Sequence, residues 1–259
     1  MKGNGEKIVV LTAYDVLFAR LVEEADVDLI LIGDSLGQVV LGYPNTIPVT
    51  LDEMIHHGKA VRRGAPESFL VLDMPFLSYQ VSSEDALLNA GRVLKETGVE
   101  AVKLEGGGAA TCRTVETLVR AGIPVMGHLG LTPQSVHALG GYRVQGREEA
   151  DAERIRVQAR ALEDAGCFGL VLELVPAELA GEISQDLSIP TIGIGAGPDC
   201  DGQVLVLYDA LGLNAGFRPK FLKRFANLDE EVRKGLEKYV QEVRGGSFPG
   251  PDHSFGREK

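Results

Sequence analysis

Residues 29–35 have the sequence LILIGDS, an apolar run that ends in two polar residues, Asp34 and Ser35. Four further segments share this layout: FLVLDMP (69–75), VKLEGG (102–107), PVMGHLG (124–130) and LVLELVP (170–176). The polar residues at their ends are Asp73, Lys103 with Glu105, His128 and Glu173. Strands buried on both faces are continuous Val, Ile and Leu runs, and the functional groups of a (β/α)8 barrel lie where such strands end. The pattern therefore predicts a parallel barrel with these polar residues gathered at one rim.

The length of the chain and the order of its sequence patterns fit one barrel domain. Its 259 residues are close to the roughly 250 that are typical of a (β/α)8 domain. Strand-like and helix-like patterns alternate, and the last strand-like run, around 203–212, has the least distinct ends. We therefore predict an α/β fold, a (β/α)8 TIM barrel, as a single domain over residues 1–259 with C-terminal helices and a short irregular tail.

An open doubly wound sheet would also alternate strands and helices, so it remains an alternative. Such a fold normally carries a glycine-rich phosphate-binding turn. GIGAG (193–197) is the nearest match, but a few glycines are a weak signal and no acidic residue ends a following strand at the expected distance. The barrel is the favoured interpretation.

Several helix boundaries can be predicted from local signals. Thr50 is followed three residues later by Glu53, the spacing of a capping box, and this predicts a helix start. Gly98 follows the next helical pattern and favours a helix end, because glycine adopts the left-handed conformation easily. We also expect a helix over 115–121 and terminal helices within 221–246.

Composition excludes several classes of function. The formal net charge of −11 argues against nucleic-acid binding, because a surface that neutralises phosphates needs clustered Lys and Arg. The sequence has no apolar run of about 18 residues or more and no hydrophobic signal region at its start. We therefore expect a cytoplasmic protein that does not bind membranes. The three cysteines have no CxxC or CxxH spacing, which is typical of reduced thiols.

The acids at the ends of the apolar runs could form a metal site. An unpaired carboxylate at Asp34 or Asp73 would carry a large desolvation cost, so each needs a partner. A helix N-cap or a loop amide could be that partner. With Glu105 added, the set favours a hard divalent cation, because Mg²⁺ prefers oxygen ligands and combines one or two carboxylates with water and substrate oxygens.

Lys103 and Glu105 are two residues apart on one predicted strand and therefore point to the same side. They could form a structural ion pair at the end of the barrel. Alternatively, Lys103 could bind a substrate carboxylate or stabilise an enolate oxygen, and Glu105 could join the metal shell through water. A Schiff base is a third role open to Lys103.

Glu173 is a candidate general base. Its leucine neighbours and Pro176 provide an apolar setting that raises the pKa of a carboxyl group, although a hydrogen-bonded core acid is the alternative. For His128 we favour a role as a hydrogen-bonding wall residue of the site over a role as base or metal ligand. The glycine-rich segment 127–147 is long for a connector, and such segments often act as lids or binding loops.

Eleven strings of the sequence, in order and spread over nearly the whole chain, identify a resemblance. They are TAYD (12–15), GDSLG (33–37), VRRGAP (61–66), LDMPF (72–76), VKLEGG (102–107), GHLGLTPQSV (127–136), GGYRVQGR (140–147), VLELVP (171–176), IGIGAG (192–197), DGQVLV (201–206) and HSF (253–255). Long ungapped strings are far more specific than a single glycine motif. Through them the chain resembles the ketopantoate hydroxymethyltransferase (3-methyl-2-oxobutanoate hydroxymethyltransferase) family.

The resemblance implies a barrel similar to the phosphoenolpyruvate mutase and isocitrate lyase enzymes, assembled as a homodecamer. It implies transfer of a hydroxymethyl group to 3-methyl-2-oxobutanoate, with 5,10-methylenetetrahydrofolate as co-substrate. The product would be 2-dehydropantoate, a precursor of pantothenate and coenzyme A.

The site residues follow from the same resemblance, motif by motif. The metal ligands would be Asp34, Asp73 and Glu105, holding one Mg²⁺ per subunit. The substrate-binding residues would be Asp34, Ser35, Asp73 and Lys103. Glu173 would accept the C3 proton, and Mg²⁺ would stabilise the resulting enolate.

Two other functions remain as alternatives. A related Mg²⁺-dependent lyase or aldolase acting on another 2-oxo acid would share the acids but would not need folate. A non-catalytic binding barrel would tolerate the change Glu173→Gln without loss of function.

Overall fold

The computed structural model describes residues 1–256, in which strands and helices alternate. The strands are β1 (Ile8–Thr12), β2 (Leu29–Ile32), β3 (Leu70–Asp73), β4 (Ala101–Glu105), β5 (Val125–Gly130), β6 (Gly169–Glu173), β7 (Thr191–Ile194) and β8 (Gly202–Leu205). The helices are α1 (Val16–Glu24), α2 (Leu36–Val39), α3 (Leu51–Gly64), α4 (Ser83–Thr97), α5 (Ala109–Arg120), α6 (Glu149–Asp164), α7 (Ala177–Asp186), α8 (Leu207–Ala210) and α9 (Leu228–Gly245). Residues 257–259, the end of the predicted irregular tail, lie outside the described residues.

The strands form a closed barrel in sequence order, and each is parallel to its neighbours. Closure occurs at β1, where Val10 is opposite Leu29 of β2 on one side and Val204 of β8 on the other. The predicted (β/α)8 barrel is therefore confirmed. The open doubly wound sheet is excluded, because it would leave two strands with an unpaired edge.

One apolar cluster contains a residue from every strand and therefore fills the interior of the barrel. Its buried members are Val10, Leu29, Leu31, Val71, Ala101, Met126, Val171, Ile192 and Val204. Side chains alternate in direction along a strand, so residues two positions beyond these members also face the barrel axis. This alternation decides which polar residues near the carboxyl ends of the strands can share a site.

Local signals explain where two of the helices begin and end. Thr50 caps α3 in a complete capping box: Glu53 N donates to Thr50 Oγ1 at 3.2 Å, and Thr50 N donates to Glu53 Oε2 at 2.7 Å. Gly98 ends α4 in the left-handed conformation with φ 74°. Both predicted boundaries are confirmed.

Two predicted helix starts were wrong. Helix α5 begins at Ala109 rather than at 115, because Gly108 adopts an extended N-cap and is followed by two alanines, the best helix formers. The last helix begins at Leu228, later than predicted. Arg224 Nη2 donates to three carbonyl oxygens of the preceding loop at 2.9, 3.0 and 3.1 Å, which holds this part of the chain in an irregular conformation.

The eighth strand is shorter than the apolar run at 203–212 suggested. It ends at Leu205, and the remainder of the run contributes α8. Leu207 N donates to Thr12 Oγ1 at 3.0 Å. The backbone leaves the sheet here, because this N–H bonds to a side chain instead of to the backbone of a neighbouring strand.

The described chain divides into two compact units. The first, Met1–Leu207, contains the barrel, and the second begins at Tyr208 and contains α9. In the second unit, the Phe248 ring lies 5.9 Å from the Tyr239 ring and 5.1 Å from the His253 ring, measured between centroids. Within residues 1–256, no helix combines the length and apolar composition needed to span a membrane.

Candidate active site

The register of the central strands sets polar side chains beside one another at the carboxyl-terminal rim. Asp73 of β3 is opposite Lys103 of β4. Glu105 of β4 is opposite His128 of β5, and Glu173 is the last residue of β6. Each lies two or four positions beyond an interior residue of its own strand, so all five face the barrel axis. The structure thus brings these five predicted residues together.

Lys103 is a buried cation at the centre of this group. Its Nζ lies 3.0 Å from Asp73 Oδ1 and 3.1 Å from His128 Nδ1. Burial alone would lower the pKa of Lys103, but the carboxylates of Asp73 and Glu105 more than offset burial, and the pKa is raised. Lys103 therefore stays protonated, which disfavours the Schiff-base role, because that role requires a neutral amine.

His128 is neutral, and Lys103 determines which ring nitrogen carries the proton. Burial, and then the positive charge of Lys103, lower the pKa of His128 well below its usual value. Because an ammonium group can only donate, Nδ1 accepts and the ring proton resides on Nε2. Nε2 lies 3.3 Å from Glu173 Oε2, without the angles of a hydrogen bond. His128 Nε2 thus lies beside the candidate base without a hydrogen bond to it in this arrangement.

Asp34 lies just beyond β2 and is only 4% exposed. Its backbone N–H donates to Asp73 Oδ2 at 3.1 Å, so Asp73 does have a loop amide as one partner. Burial, and next the negative charge of Asp73, raise the pKa of Asp34 to about 7. Burial and the charge of Asp34 likewise raise the pKa of Glu105 well above its usual value. The three acids therefore repel one another within the rim.

Glu173 is the acid of this group that reaches the opening. Its side chain is 18% exposed, against 5% for those of Asp73 and Glu105. Burial raises the pKa of Glu173 to about 7, and the charge of Lys103 partly offsets the rise. A carboxyl group with a pKa near neutrality is suited to general-base catalysis at physiological pH.

Gly130, the last residue of β5, allows the backbone of β6 to approach closely at Glu173. Gly130 has φ 92°, and a Cβ atom there would lie 2.1 Å from Glu173 O. Gly130→Ala should destabilise the fold by about 1–3 kcal/mol or more, because both the backbone conformation and the contact forbid the methyl group. Thermal unfolding measures the loss. Gly91→Ala in the interior of α4, where a Cβ meets nothing within 4 Å, is the control and should unfold at or slightly above the wild-type temperature, because alanine favours a helix.

Tyr14 fixes the hydroxyl group of Ser35. Tyr14 Oη lies 2.9 Å from Ser35 Oγ, and the Tyr14 side chain is almost fully buried. His57 Nδ1 lies 2.6 Å from Tyr14 O, which links this residue to α3. Ser35 is adjacent to Asp34 in sequence, so the structure places both predicted substrate-binding residues at the β2 side of the rim.

Two residues of the site were not predicted from the sequence, Gln134 and Tyr79. Gln134 Nε2 donates to Asp34 Oδ2 at 2.9 Å, and its backbone N–H donates to Glu105 Oε2 at 3.0 Å. Tyr79 Oη donates to Gln134 Oε1 at 2.9 Å. The only sequence signal for Gln134 is its place in GHLGLTPQSV (127–136), and no local signal marks Tyr79.

The long segment 127–147 extends from β5 towards the β2 side of the barrel. Tyr142 Oη accepts a hydrogen bond from Gln38 Nε2 of α2 at 3.4 Å. The pKa of Tyr142 is raised, first by burial and further by the negative charges of Glu173, Asp34 and Glu105. Arg143 and Arg147 are exposed to solvent. The segment therefore borders the opening of the site, as a lid or binding loop would.

The donor set fits a hard divalent cation. Four carboxyl groups, those of Asp34, Asp73, Glu105 and Glu173, face the single ammonium group of Lys103. Asp73 Oδ1 is buried, and its contact with Lys103 Nζ at 3.0 Å lacks the angles of a hydrogen bond. Within residues 1–256, no three His, Cys, Asp or Glu side chains form a closed metal cage. Mg²⁺ does not require one, because it keeps several waters and takes one or two carboxylates plus substrate oxygens.

Comparison with known proteins gives full-length similarity. The sequence model of the ketopantoate hydroxymethyltransferase family matches residues 1–251. The 3-methyl-2-oxobutanoate hydroxymethyltransferase of Moorella thermoacetica is 61% identical over 98% of this chain and 94% of its own. The protein of the same name from Thermus thermophilus is 57% identical over 97% of this chain and 96% of its own.

Solved structures share the fold at low sequence identity. The 2,3-dimethylmalate lyase, a member of the phosphoenolpyruvate mutase/isocitrate lyase superfamily, is 18% identical with a TM-score of 0.61, over 98% of this chain and 89% of its own. A phosphonopyruvate hydrolase, solved in complex with oxalate and Mg²⁺, is 11% identical with a TM-score of 0.62, over 97% and 89%. The predicted similarity to this superfamily fold is confirmed. With its full-length family match and close relatives, the chain belongs to the ketopantoate hydroxymethyltransferase family.

Proposed function

We propose that this protein transfers a hydroxymethyl group from 5,10-methylenetetrahydrofolate to 3-methyl-2-oxobutanoate, giving 2-dehydropantoate. The names of its close relatives support this activity. The observation that carries the chemistry is Glu173, a carboxyl group with a pKa of about 7 that reaches the opening beside a buried cation and three further acids. Removal of a proton next to a carbonyl group needs such a base.

Each residue has a distinct role in this proposal. Asp34 and Asp73 would hold one Mg²⁺, and Glu105 would complete the site through water. When bound, Mg²⁺ supplies positive charge next to the keto oxygen of the substrate. Lys103 and Ser35 would hold the 2-oxo acid, because a fixed ammonium and a fixed hydroxyl group suit its oxygen atoms.

The proton moves to Glu173. As C3 of the substrate loses its proton to Glu173 Oε, C3 becomes nucleophilic and forms a bond to the methylene carbon supplied by the folate. The two bonds from that carbon to the folate nitrogens break, and one water supplies the hydroxyl group of the product. The folate nitrogens take up the remaining proton of the water and the proton held by Glu173, so that tetrahydrofolate is released and the carboxylate is regenerated. His128 Nε2 lies 3.3 Å from Glu173 Oε2, so a small rotation of either side chain would form a hydrogen bond that keeps the carboxylate directed at C3.

The proposal is tested by product formation. Purified protein with 3-methyl-2-oxobutanoate, 5,10-methylenetetrahydrofolate and Mg²⁺ should yield 2-dehydropantoate, detected by mass spectrometry. Removal of the metal with EDTA should stop the reaction, and Mg²⁺ should restore it. Consumption of a 2-oxo acid without any need for folate would instead identify a lyase or aldolase.

The reaction should depend on pH through Glu173. The base acts when deprotonated, so proton removal should accelerate as pH rises, by about tenfold per pH unit below the pKa, and level off above it. Because the pKa of Glu173 is about 7, the rise should lie between about pH 5 and 7. A profile already flat from pH 5 would mean that an ordinary, exposed carboxyl group is the base.

We further propose a cytoplasmic homo-oligomer, a decamer by membership of the family. The net charge of −11 supports small molecules, rather than nucleic acids, as ligands. Sedimentation velocity would measure the size of the assembly.

A further inference from the structure

Gln134 contacts the carboxyl ends of three strands from a buried position. It is only 5% exposed. Its side-chain Nε2 donates to Asp34 Oδ2 and to Met74 O, both at 2.9 Å. Its backbone N–H donates to Glu105 Oε2 at 3.0 Å. One uncharged residue therefore hydrogen-bonds to one oxygen atom of Asp34 and to one of Glu105, two acids that are close enough to repel each other.

The partners of the Gln134 amide fix its orientation. Met74 O can only accept, so it selects the NH2 group. Tyr79 Oη accepts the N–H of Glu105 at 3.1 Å and donates its own hydrogen to Gln134 Oε1 at 2.9 Å. Gln80 Nε2 donates to the same oxygen at 3.2 Å. The amide uses all four of its hydrogen-bonding positions, so rotation would break several bonds at once.

We propose that Gln134 is a positioning residue that holds the Asp34 and Glu105 carboxylates in the arrangement required by the divalent cation. This inference rests on the metal role proposed above for these two acids. With one oxygen of each acid bonded to Gln134, the other oxygen is presented in a fixed direction. A donating amide is suited to this role, because a carboxylate at the same position would add to the repulsion.

The charge balance explains why such a residue is needed. Asp34 and Glu105 are both buried, and Lys103 bonds directly to Asp73 rather than to either of them. The neutral N–H groups of Gln134 therefore stabilise the ionised forms of these acids: the side-chain amide acts on Asp34, and the backbone N–H acts on Glu105. Partners that orient metal ligands in this way typically contribute about 10–100-fold to metal affinity or activity.

Binding of Mn²⁺, measured by electron paramagnetic resonance on the purified full-length protein, tests the proposal without reliance on turnover. Gln134→Met keeps the side-chain length and the backbone N–H that bonds Glu105, but it removes the side-chain donor to Asp34 and should weaken Mn²⁺ binding by about tenfold or more. Gln185→Met makes the same chemical change on the exposed face of α7 and should bind like the wild type. Raising the Mg²⁺ concentration should restore kcat in Gln134→Met, while half-maximal activity should require about tenfold more metal.

Gln134→Asn provides a second variant in case Gln134→Met does not fold. It keeps the amide but withdraws it by one methylene group, so it should also weaken Mn²⁺ binding. Wild-type affinity in folded Gln134→Met or Gln134→Asn would overturn the positioning role and leave the metal site standing. Absence of Mn²⁺ binding by the wild-type protein itself would overturn the metal site, and the inference with it.

Discussion

Replacement of Glu173 by Gln is expected to lower the turnover number by about 10²–10⁴-fold, the usual contribution of a general base. The amide keeps the shape of the side chain but cannot take the C3 proton. Binding of 3-methyl-2-oxobutanoate should change little, because the residues proposed to hold it, Ser35 and Lys103, lie just beyond β2 and on β4. Steady-state assays of 2-dehydropantoate formation and calorimetric titration of the 2-oxo acid separate the two effects.

Glu178→Gln is the matched control. Glu178 lies on α7, five positions beyond Glu173 in the sequence, and its side chain is exposed. This variant should retain wild-type turnover and substrate affinity. Normal turnover in Glu173→Gln would remove Glu173 from the proposed role, and loss of substrate binding together with turnover would assign it to binding.

Lys103→Met is expected to have the largest effect on stability. Lys103 is the buried cation that contacts Asp73 and His128, and its removal leaves buried carboxyl groups without a compensating charge. Breaking a buried ion pair in this way costs about 3–5 kcal/mol. Thermal unfolding should show a large decrease in Tm. Lys59→Met, which removes an exposed partner of Glu96, should leave Tm nearly unchanged.

The loss of stability in Lys103→Met should depend on pH. The pKa of Asp34 is raised to about 7 in the folded protein, even with Lys103 present, whereas an unfolded aspartate titrates near 3.9. A raised folded-state pKa destabilises the protein as pH rises above the unfolded value, and the full cost is reached above the folded value. The deficit in Tm relative to the wild type should therefore be largest near pH 8 and smaller near pH 5. A deficit that does not change with pH would indicate lost packing rather than unpaired acids.

The barrel could be predicted because its strands are buried on both faces. A run such as LILIGDS has no polar residue until the strand ends, so the place of Asp34 at the rim follows directly from the sequence. The end of β8 could not be predicted in the same way. Its apolar run continues into α8, and the hydrogen bond from Leu207 N to Thr12 Oγ1 joins residues that are distant in sequence.

The charged part of the site was predictable, and its neutral part was not. Acids and a lysine that interrupt apolar runs are conspicuous, and the barrel topology brings them together. Gln134 lies in a short 3-10 turn (Pro133–Ser135) after β5, and it reaches Asp34, just beyond β2, only through the path of the chain in three dimensions. Tyr79 follows β3 in a loop, where an isolated tyrosine has many ordinary explanations.

Exchange of the C3 proton of 3-methyl-2-oxobutanoate in D₂O, followed by NMR, tests the central claim most directly, because it isolates proton removal by Glu173 from transfer of the one-carbon unit. We predict exchange that requires Mg²⁺, proceeds without folate, is lost in Glu173→Gln, and gives way to formation of 2-dehydropantoate when 5,10-methylenetetrahydrofolate is added. Equal exchange in the wild type and in Glu173→Gln, or no exchange under any of these conditions, would contradict the account.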